Sequence, residues 1–143
     1  AKYLFVLLIE LVAFVLCALL TIIRMKFLGN AAPYVTNQLM NANAAYLGYM
    51  MIVFASFNSI FLAGFFKTAY KIGKPFILFC LVNFIVITVG EVLHYIPGLE
   101  SLNEPSDLNV LQVAILAIGI IMFALCTLLS YRRAMKNFEE IDL

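Results

Sequence analysis

Four long apolar stretches account for most of this chain. They cover about residues 3–23, 44–66, 76–96 and 110–131, and a helix needs about 20 apolar residues to cross the hydrocarbon core of a bilayer. A helix also satisfies its backbone polar groups internally, as a spanning segment must. The pattern predicts an all-α integral membrane protein, a bundle of four transmembrane helices that forms a single domain over residues 1–143.

The composition excludes most soluble functions. Hydrophobic residues make up 65% of the 143 residues and charged residues 12%, whereas an average soluble chain is roughly 45–50% apolar and about 25% charged. The basic residues form no dense patch that could neutralise phosphates, so no nucleic-acid partner is expected. The lipid bilayer is the partner that the composition predicts.

Catalytic and nucleotide-binding motifs are missing from the sequence. It contains no G-x-x-x-x-G-K-[S/T] phosphate loop and no G-x-S-x-G, and His94 is its single histidine. Such motifs supply the phosphate cradle or the nucleophile of common enzyme classes. The chain is therefore not expected to be an enzyme, and we assign it no catalytic residue, no bound cofactor and no metal.

The Lys and Arg residues are sorted between the connections. With both termini in the cytoplasm, seven of the nine lie inside: Lys2, Lys67, Lys71, Lys74, Arg132, Arg133 and Lys136. The other two, Arg24 and Lys26, then lie outside in the first connection, and the third connection has none. Because short cytoplasmic loops carry an excess of Lys and Arg, both termini are predicted to be cytoplasmic.

Glu10 is an ionisable residue inside the first stretch. A charge at the bilayer centre costs at least about 2.5–3.5 kcal/mol on insertion scales, so such a residue is a functional candidate by default. In one interpretation Glu10 binds a proton or cation, as one membrane carboxylate does in small multidrug transporters. In the other, which we favour, Glu10 lies near the cytoplasmic interface and pairs with a basic residue or with an adjacent subunit.

Glu91 and His94 lie three residues apart near the outer end of the third stretch. That spacing places them on one helix face. A Glu-x-x-His pair can ligate metal in helical bundles, but those sites need several further carboxylates, which the spans do not offer. A hydrogen bond between the two side chains at the interface is the expected role, and a pH-sensing role is the alternative.

Neutral polar residues also lie inside the spans. Asn58, Ser59, Asn83, Thr88 and Thr127 can form hydrogen bonds between transmembrane helices, each worth well under about 2 kcal/mol on average. We expect them to hold helices together. The alternative is that they line a path for a transported substrate.

Three segments of the chain form a familiar combination. They are the opening Ala1-Lys2-Tyr3-Leu4, the turn Tyr70-Lys71-Ile72-Gly73-Lys74-Pro75 and the ending from Ser130 to Leu143. In this order they resemble the start of a middle transmembrane helix, a cytoplasmic turn and the terminal segment of the ABC-2-type permease family of membrane transporters. Together the three matches cover both ends and the middle of the chain.

The resemblance implies the membrane subunit of an ABC exporter in a bacterial plasma membrane, often one for antimicrobial or amphipathic peptides. ATP and Mg²⁺ would be bound by separate ABC ATPase subunits, and the permease would pair with itself or with a homologue. Lys67, Lys71 and Lys74 are then candidates for contact with the ATPase. A cargo path between permease subunits would be lined by Met50, Met51, Phe54, Phe57 and Asn58, for which lipid contact or core packing is the simpler role.

Family members usually have six spans, so the chain corresponds to the last four. Its start without methionine leads us to expect either a processed terminus or a missing N-terminal part. Two other functions stay open at this point. One is a proton-coupled exporter of the small multidrug type that uses Glu10 and no ATPase. The other is an accessory membrane protein that assembles a larger complex. The residues are compatible with export or import and with a homodimer or a heterodimer.

Overall fold

Helices form along each apolar stretch of the chain. The computed structural model describes residues 2–36, 39–68 and 71–141. Within them, four helical segments are long and apolar enough to cross a membrane, and no strand is present. These segments are Lys2–Leu28, Ala44–Lys67, Gly73–Leu93 and Val110–Asn137. The prediction of an all-α bundle with four spanning helices is confirmed.

The elements follow one another with short connections. Helix α1 is Lys2–Leu28, and the one-turn helix α2 is Ala32–Val35. The second span is built from α3 (Ala44–Ser56), a π-helical segment (Phe57–Leu62) and α4 (Ala63–Lys67). Then come α5 (Gly73–Leu93), a 3₁₀ turn (Glu100–Asn103) and α6 (Val110–Ile141).

The third helix is displaced from the stretch that the sequence predicts. It begins at Gly73 rather than near residue 76, with Pro75 in its first turn, where the missing proline N–H breaks no helical bond. It ends at Leu93 rather than near residue 96. Beyond it, the N–H groups of Tyr95 and Ile96 donate to carbonyls only three residues back. Hydropathy marks where the chain stays apolar, whereas backbone hydrogen bonding decides where a helix ends.

The second span contains a local change of helical register. The N–H of Ala63 donates to the carbonyl of Asn58, five residues back, at the end of the π-helical segment. π-helices are rare, and they occur mainly as single turns inserted into α-helices, frequently at functional sites. This one places Asn58, which is fully buried, toward the interior of the bundle.

The two ends of the bundle have different chemistry. At one end the Tyr3 ring packs against Phe66 and Tyr131, with ring centroids 6.4 and 5.3 Å apart. We call this the aromatic end, and the basic residues Lys2 and Lys67 lie beside it in the sequence. The opposite end carries the first and third connections. The structure thus sorts most basic residues to one end, and the side of the membrane that this end faces stays a prediction.

Helices α3 and α6 form the most extensive helix pair, and glycines set their distance. A Cβ atom added at Gly48 would lie 2.5 Å from the carbonyl oxygen of Ile115, and one added at Gly119 would overlap the Gly48 carbonyl. Small residues at a crossing let two membrane helices approach backbone to backbone. Close van der Waals contact at this crossing therefore holds the centre of the bundle together.

The helices turn polar residues inward and apolar residues outward. The buried residues of α1 are Tyr3, Glu10, Thr21 and Arg24, while large side chains such as Phe5 on the same helix are exposed. Lipid replaces water as the solvent of this surface, so exposed apolar area carries no penalty, whereas an unpaired polar group facing lipid would. The buried polar residues are therefore the candidates for a functional site.

Candidate functional site

A stripe on α1 brings its polar residues to the bundle interior. Tyr3, Glu10 and Arg24 are separated by multiples of seven residues, and Thr21 lies three residues before Arg24. Because an α-helix has 3.6 residues per turn, this spacing keeps the four on one face. Glu10 and Arg24 contact different partners, and they define two polar centres of the molecule.

The first centre, the Glu10 cluster, consists of Glu10, Asn58 and Thr127 from three different spans. The side-chain amide of Asn58 donates to Oε2 of Glu10 at 2.9 Å and to the hydroxyl oxygen of Thr127 at 3.0 Å. Glu10 is 6% exposed, Thr127 8% and Asn58 0%. One amide thus links α1, the π-helical segment and α6 in the interior.

Two further hydrogen bonds, one donated from α6 and one from α1, hold the Glu10 cluster. The hydroxyl of Ser130 donates to the backbone carbonyl of Asn58, and the hydroxyl of Tyr3 donates to the carbonyl of Thr127 at 3.4 Å. The Ser130 bond gives the Asn58 carbonyl a second donor beside the Ala63 N–H. The side chains of α1 and α6 therefore fix both the position of Asn58 and the register of its helix.

Glu10 has a different partner from the one that the sequence favours. The expected partner is a basic residue near the interface, but within the described residues the Glu10 carboxyl is bonded to the Asn58 amide. Eight residues separate it from Lys2, or about 12 Å of helix. The crossing of α1 over the π-helical segment brings this amide to the carboxyl, and a pairing with a basic residue stays a prediction. A contact with a second subunit stays a prediction.

Asn83 links the second and third spans. Its Oδ1 accepts a hydrogen bond of 2.9 Å from the hydroxyl of Ser56, and its amide donates to the carbonyl of Phe79 on its own helix. Asn58, Asn83 and Thr127 thus form bonds between helices, as the sequence predicts. Ser59 and Thr88 instead donate to carbonyls four residues back in their own helices, which is the common alternative for hydroxyl side chains in helices.

The aromatic residues proposed for a cargo path pack against neighbouring rings. Phe57 stacks on Phe61 at 4.9 Å and meets the edge of Phe79 at 5.3 Å. Phe54 meets Phe123 at 6.4 Å. Of the two methionines, Met51 is buried, at 7% exposure, and Met50 is half-buried. Their place in a cargo path stays a prediction, while the contacts within the chain are those of a packed core.

The second centre, the loop cluster, joins Arg24 to the connections. Its guanidinium donates to the side-chain oxygen of Asn41 at 2.6 Å, to the carbonyl of Ala42 at 2.8 Å and to that of Pro105 at 3.4 Å. The N–H and amide of Asn41 in turn donate to Asn103 at 2.6 and 2.8 Å. Arg24 therefore ties the end of α1 to both loops.

Asn43 and Gln112 complete the loop cluster, and both are fully buried. The Asn43 amide donates to the carbonyls of Leu102 and Glu104 at 2.8 and 3.2 Å, while its oxygen accepts from the N–H of Tyr46 as the N-cap of α3. The Gln112 amide donates to the carbonyls of Ser101 and Glu104. The sequence pattern does not predict this role for Asn43 and Gln112, although the several Asn residues of the first connection are a usable signal.

Glu91 belongs to the loop cluster as well. Its two oxygens accept from the N–H of Met40 at 3.0 and 3.2 Å, so the carboxylate faces the first connection. His94 is 8% exposed, and its ring lies 4.2 Å from that of Tyr95. The expected bond between Glu91 and His94 stays a prediction. Among the described residues, no three His, Cys, Asp or Glu side chains are grouped as a metal site would require.

A cleft of about 410 Å³ lies beside the loop cluster. Cys17, Thr21 and Arg24 line it from α1, and Met40 and Tyr46 line it from the first connection and α3. Apolar side chains such as Leu20 and Met40 and the charged Arg24 side chain together give this cleft an amphipathic lining.

The three candidate lysines lie at the turn between the second and third spans. Lys67, Lys71 and Lys74 are exposed. The hydroxyl of Thr68 donates to the carbonyls of Gly64 and Lys71 at 2.8 and 3.1 Å, which shapes the described part of the turn. Three exposed ammonium groups within eight residues form a positive surface that an acidic partner could bind.

Replacing Asn43 by alanine is expected to lower the free energy of unfolding by about 2 kcal/mol. The change removes the N-cap of α3 and the side-chain donor to the Leu102 carbonyl, while the Glu104 carbonyl keeps its bond from the Gln112 amide. Asn43→Ser is the control, since a serine oxygen caps equally well but cannot reach the carbonyls. The detergent-solubilised variants are compared by their thermal unfolding midpoints. A serine variant as stable as wild type would show that only the cap matters.

Comparison with known proteins adds one match. Residues 1–139 match the profile of a family described as ABC-2 family transporter protein. No curated protein and no solved structure gives a significant match.

Proposed function

Because the chain belongs to the ABC-2 family of transporter proteins, we propose that it is the permease subunit of an ATP-driven exporter in a bacterial plasma membrane. The observation that carries this proposal is the family match over residues 1–139, which includes all four spanning segments. The chain itself is a membrane transport component.

Energy for transport would come from a separate subunit. The sequence has no phosphate-binding loop, and such a loop is what cradles the phosphates of ATP in these ATPases. We propose that two ABC ATPase subunits hold ATP and Mg²⁺ and bind a pair of permease subunits. The exposed Lys67, Lys71 and Lys74 provide a positive surface for an acidic face of the ATPase.

The cargo would be a hydrophobic or amphipathic peptide or small molecule. The outward surface of the spans is lined by large apolar side chains, including Leu20 and Phe84 at 64% and 72% exposure. A path formed between two such surfaces would accept apolar cargo without a precise polar site. Transport further requires that cargo affinity differ between inward- and outward-facing states, because a ligand shifts an equilibrium only by its differential affinity.

Co-expression with a candidate ABC ATPase subunit tests the proposal. We expect the ATPase to co-purify, and ATP to drive uptake of a fluorescent amphipathic peptide into inverted vesicles. An ATPase variant that lacks its phosphate-loop lysine should abolish uptake. Uptake driven by a pH gradient without ATP would instead support a proton-coupled exporter, and binding without any transport would support an accessory role. Either result would overturn the proposal.

The lysine turn is expected to contribute to the ATPase contact. Changing Lys67, Lys71 and Lys74 together to glutamine should weaken ATPase binding about 10-fold at low salt, because complementary charges raise association rates. The matched control changes Arg132, Arg133 and Lys136, which carry the same total charge near the same end. Pull-down of the ATPase at two salt concentrations measures both. Equal losses in the two variants would contradict a specific role of the turn.

A further inference from the structure

The Glu10 cluster contains two buried oxygens that accept no hydrogen bond from the described residues. They are Oε1 of Glu10 and Oδ1 of Asn58. The two groups that carry them are joined by the bond of 2.9 Å from the Asn58 amide to Oε2 of Glu10. Because buried polar atoms in proteins almost always have partners, two neighbouring acceptors without one indicate that the site takes up a donor.

The side chains around the cluster do not supply that donor. The Asn58 amide already donates to Glu10 and Thr127. Among the described residues, the titratable group that contacts the cluster is Tyr3 on α1, whose hydroxyl donates to the Thr127 carbonyl. Tyr131, which packs against the Tyr3 ring, and the half-buried Cys126, which precedes Thr127 in the sequence, are the titratable groups of α6 next to the cluster residues in the chain. None of these groups is cationic in any protonation state.

The basic residues nearest in sequence to Glu10 and Asn58 lie at the aromatic end. Lys2 and Lys67 are exposed there, and the π-helical segment itself contains Phe, Asn, Ser, Ile and Leu only. An ionised carboxylate in this place would have one amide partner in a medium where an unpaired charge is very costly.

We infer that Glu10 and Asn58 form a proton-binding site, with the proton carried on Oε1 of Glu10 and donated to Oδ1 of Asn58. A carboxylate only accepts hydrogen bonds, whereas the protonated group has one O–H donor. A hydronium ion at the membrane surface loses one O–H bond and leaves a water molecule, the O–H bond on Oε1 forms, and the negative charge of the carboxylate disappears. One proton then gives both oxygens a partner and completes a reciprocal pair with the amide.

A proton fits this site better than a water molecule does. A buried water needs its own volume and two to four polar partners, while Asn58 is 0% exposed and Glu10 6%. The proton needs no additional space. It would be held whether or not the chain transports peptides, so the site can be tested without the ATPase.

Infrared spectroscopy of the whole protein in lipid bilayers tests the inference. At neutral pH we expect a carbonyl band of a protonated carboxyl group, which shifts in deuterated water. The band should be lost in Glu10→Gln, whose amide replaces the O–H donor with an N–H donor and preserves the pair. It should move to higher frequency in Asn58→Leu, which removes the acceptor. Glu91→Gln is the matched control and should leave the band unchanged, because that carboxylate accepts a backbone N–H at the opposite end.

Three results would overturn the inference. The first is the absence of a protonated-carboxyl band at neutral pH, and the second is a band that persists in Glu10→Gln. The third is a carboxylate band that responds to sodium, which would indicate a bound ion. Should Glu10→Gln fail to fold, Glu10→Asp takes its place. The Asp variant should shift the band, and an unchanged band would equally exclude Glu10.

Discussion

Replacing Gly119 by alanine is expected to destabilise the bundle by about 3 kcal/mol, at the upper end of the usual cost of overpacking. The added methyl group would overlap the Gly48 carbonyl and lie 2.9 Å from its Cα. These are backbone atoms that cannot turn aside as a flexible side chain would. Helices α3 and α6 would have to separate along their most extensive contact. The thermal unfolding midpoint in detergent measures the loss.

Two other glycines make this experiment specific. Gly48→Ala should cost about as much as Gly119→Ala, because its Cβ would meet the backbone of Ile115 and Leu116 from the other side of the same crossing. Gly73→Ala is the matched control, since nothing lies within 4 Å of its added Cβ. If Gly119→Ala and Gly73→Ala unfold at the same temperature, the close crossing of α3 and α6 does not limit stability.

Replacing Asn58 by alanine is expected to cost about 2–3 kcal/mol, the second large effect. The change removes the amide that donates to the Glu10 carboxyl and to the Thr127 hydroxyl, so both buried oxygens lose a hydrogen bond. The smaller alanine side chain also leaves a cavity. Hydrogen bonds between membrane helices average about 0.6 kcal/mol. The expected cost is higher here because three spans lose their shared contact at once.

Thr88→Ala provides the comparison for Asn58→Ala. Thr88 is a polar residue in a span, but its hydroxyl donates only to the Phe84 carbonyl of its own helix, at 2.7 Å and on an exposed face. Its loss should change the free energy of unfolding by less than about 0.5 kcal/mol. Similar unfolding midpoints for the two variants would contradict a structural role of the Glu10 cluster.

The spans and the sorting of charge could be predicted from the sequence, because both follow from the bilayer itself. Its thickness sets the number of apolar residues per helix, and the cost of a charge in lipid confines Lys and Arg to the connections and to the ends of the spans. The structure accordingly has four spanning helices, and it sorts Lys2, Lys67 and Arg132 to one end. Predicting these features does not require knowing which helices are in contact.

The partners of the polar residues could not be predicted in the same way. Glu10 and Asn58 are 48 residues apart, and their contact depends on how α1 crosses the second span and on the extra residue of the π-helical turn. The polarity of Glu10 predicts that its carboxyl has a hydrogen-bond or ionic partner, but this polarity does not distinguish an amide partner from a cationic one. The same holds for Arg24, whose acceptors Asn41, Ala42 and Pro105 come from two separate loops.

The inward polar residues of α1 disfavour its insertion into the membrane and favour its assembly with the other helices. Glu10 and Arg24 each make α1 harder to insert as a single helix. A charged residue at the helix centre costs about 2.5–3.5 kcal/mol on biological scales, and Arg24 costs less because it lies at the end of α1. The same two residues provide its bonds to Asn58 and to the loops. Leucine at either position would favour integration of the nascent helix and weaken its attachment afterwards. The sequence of α1 thus balances two successive steps of biogenesis, and its hydropathy alone reports only on the first.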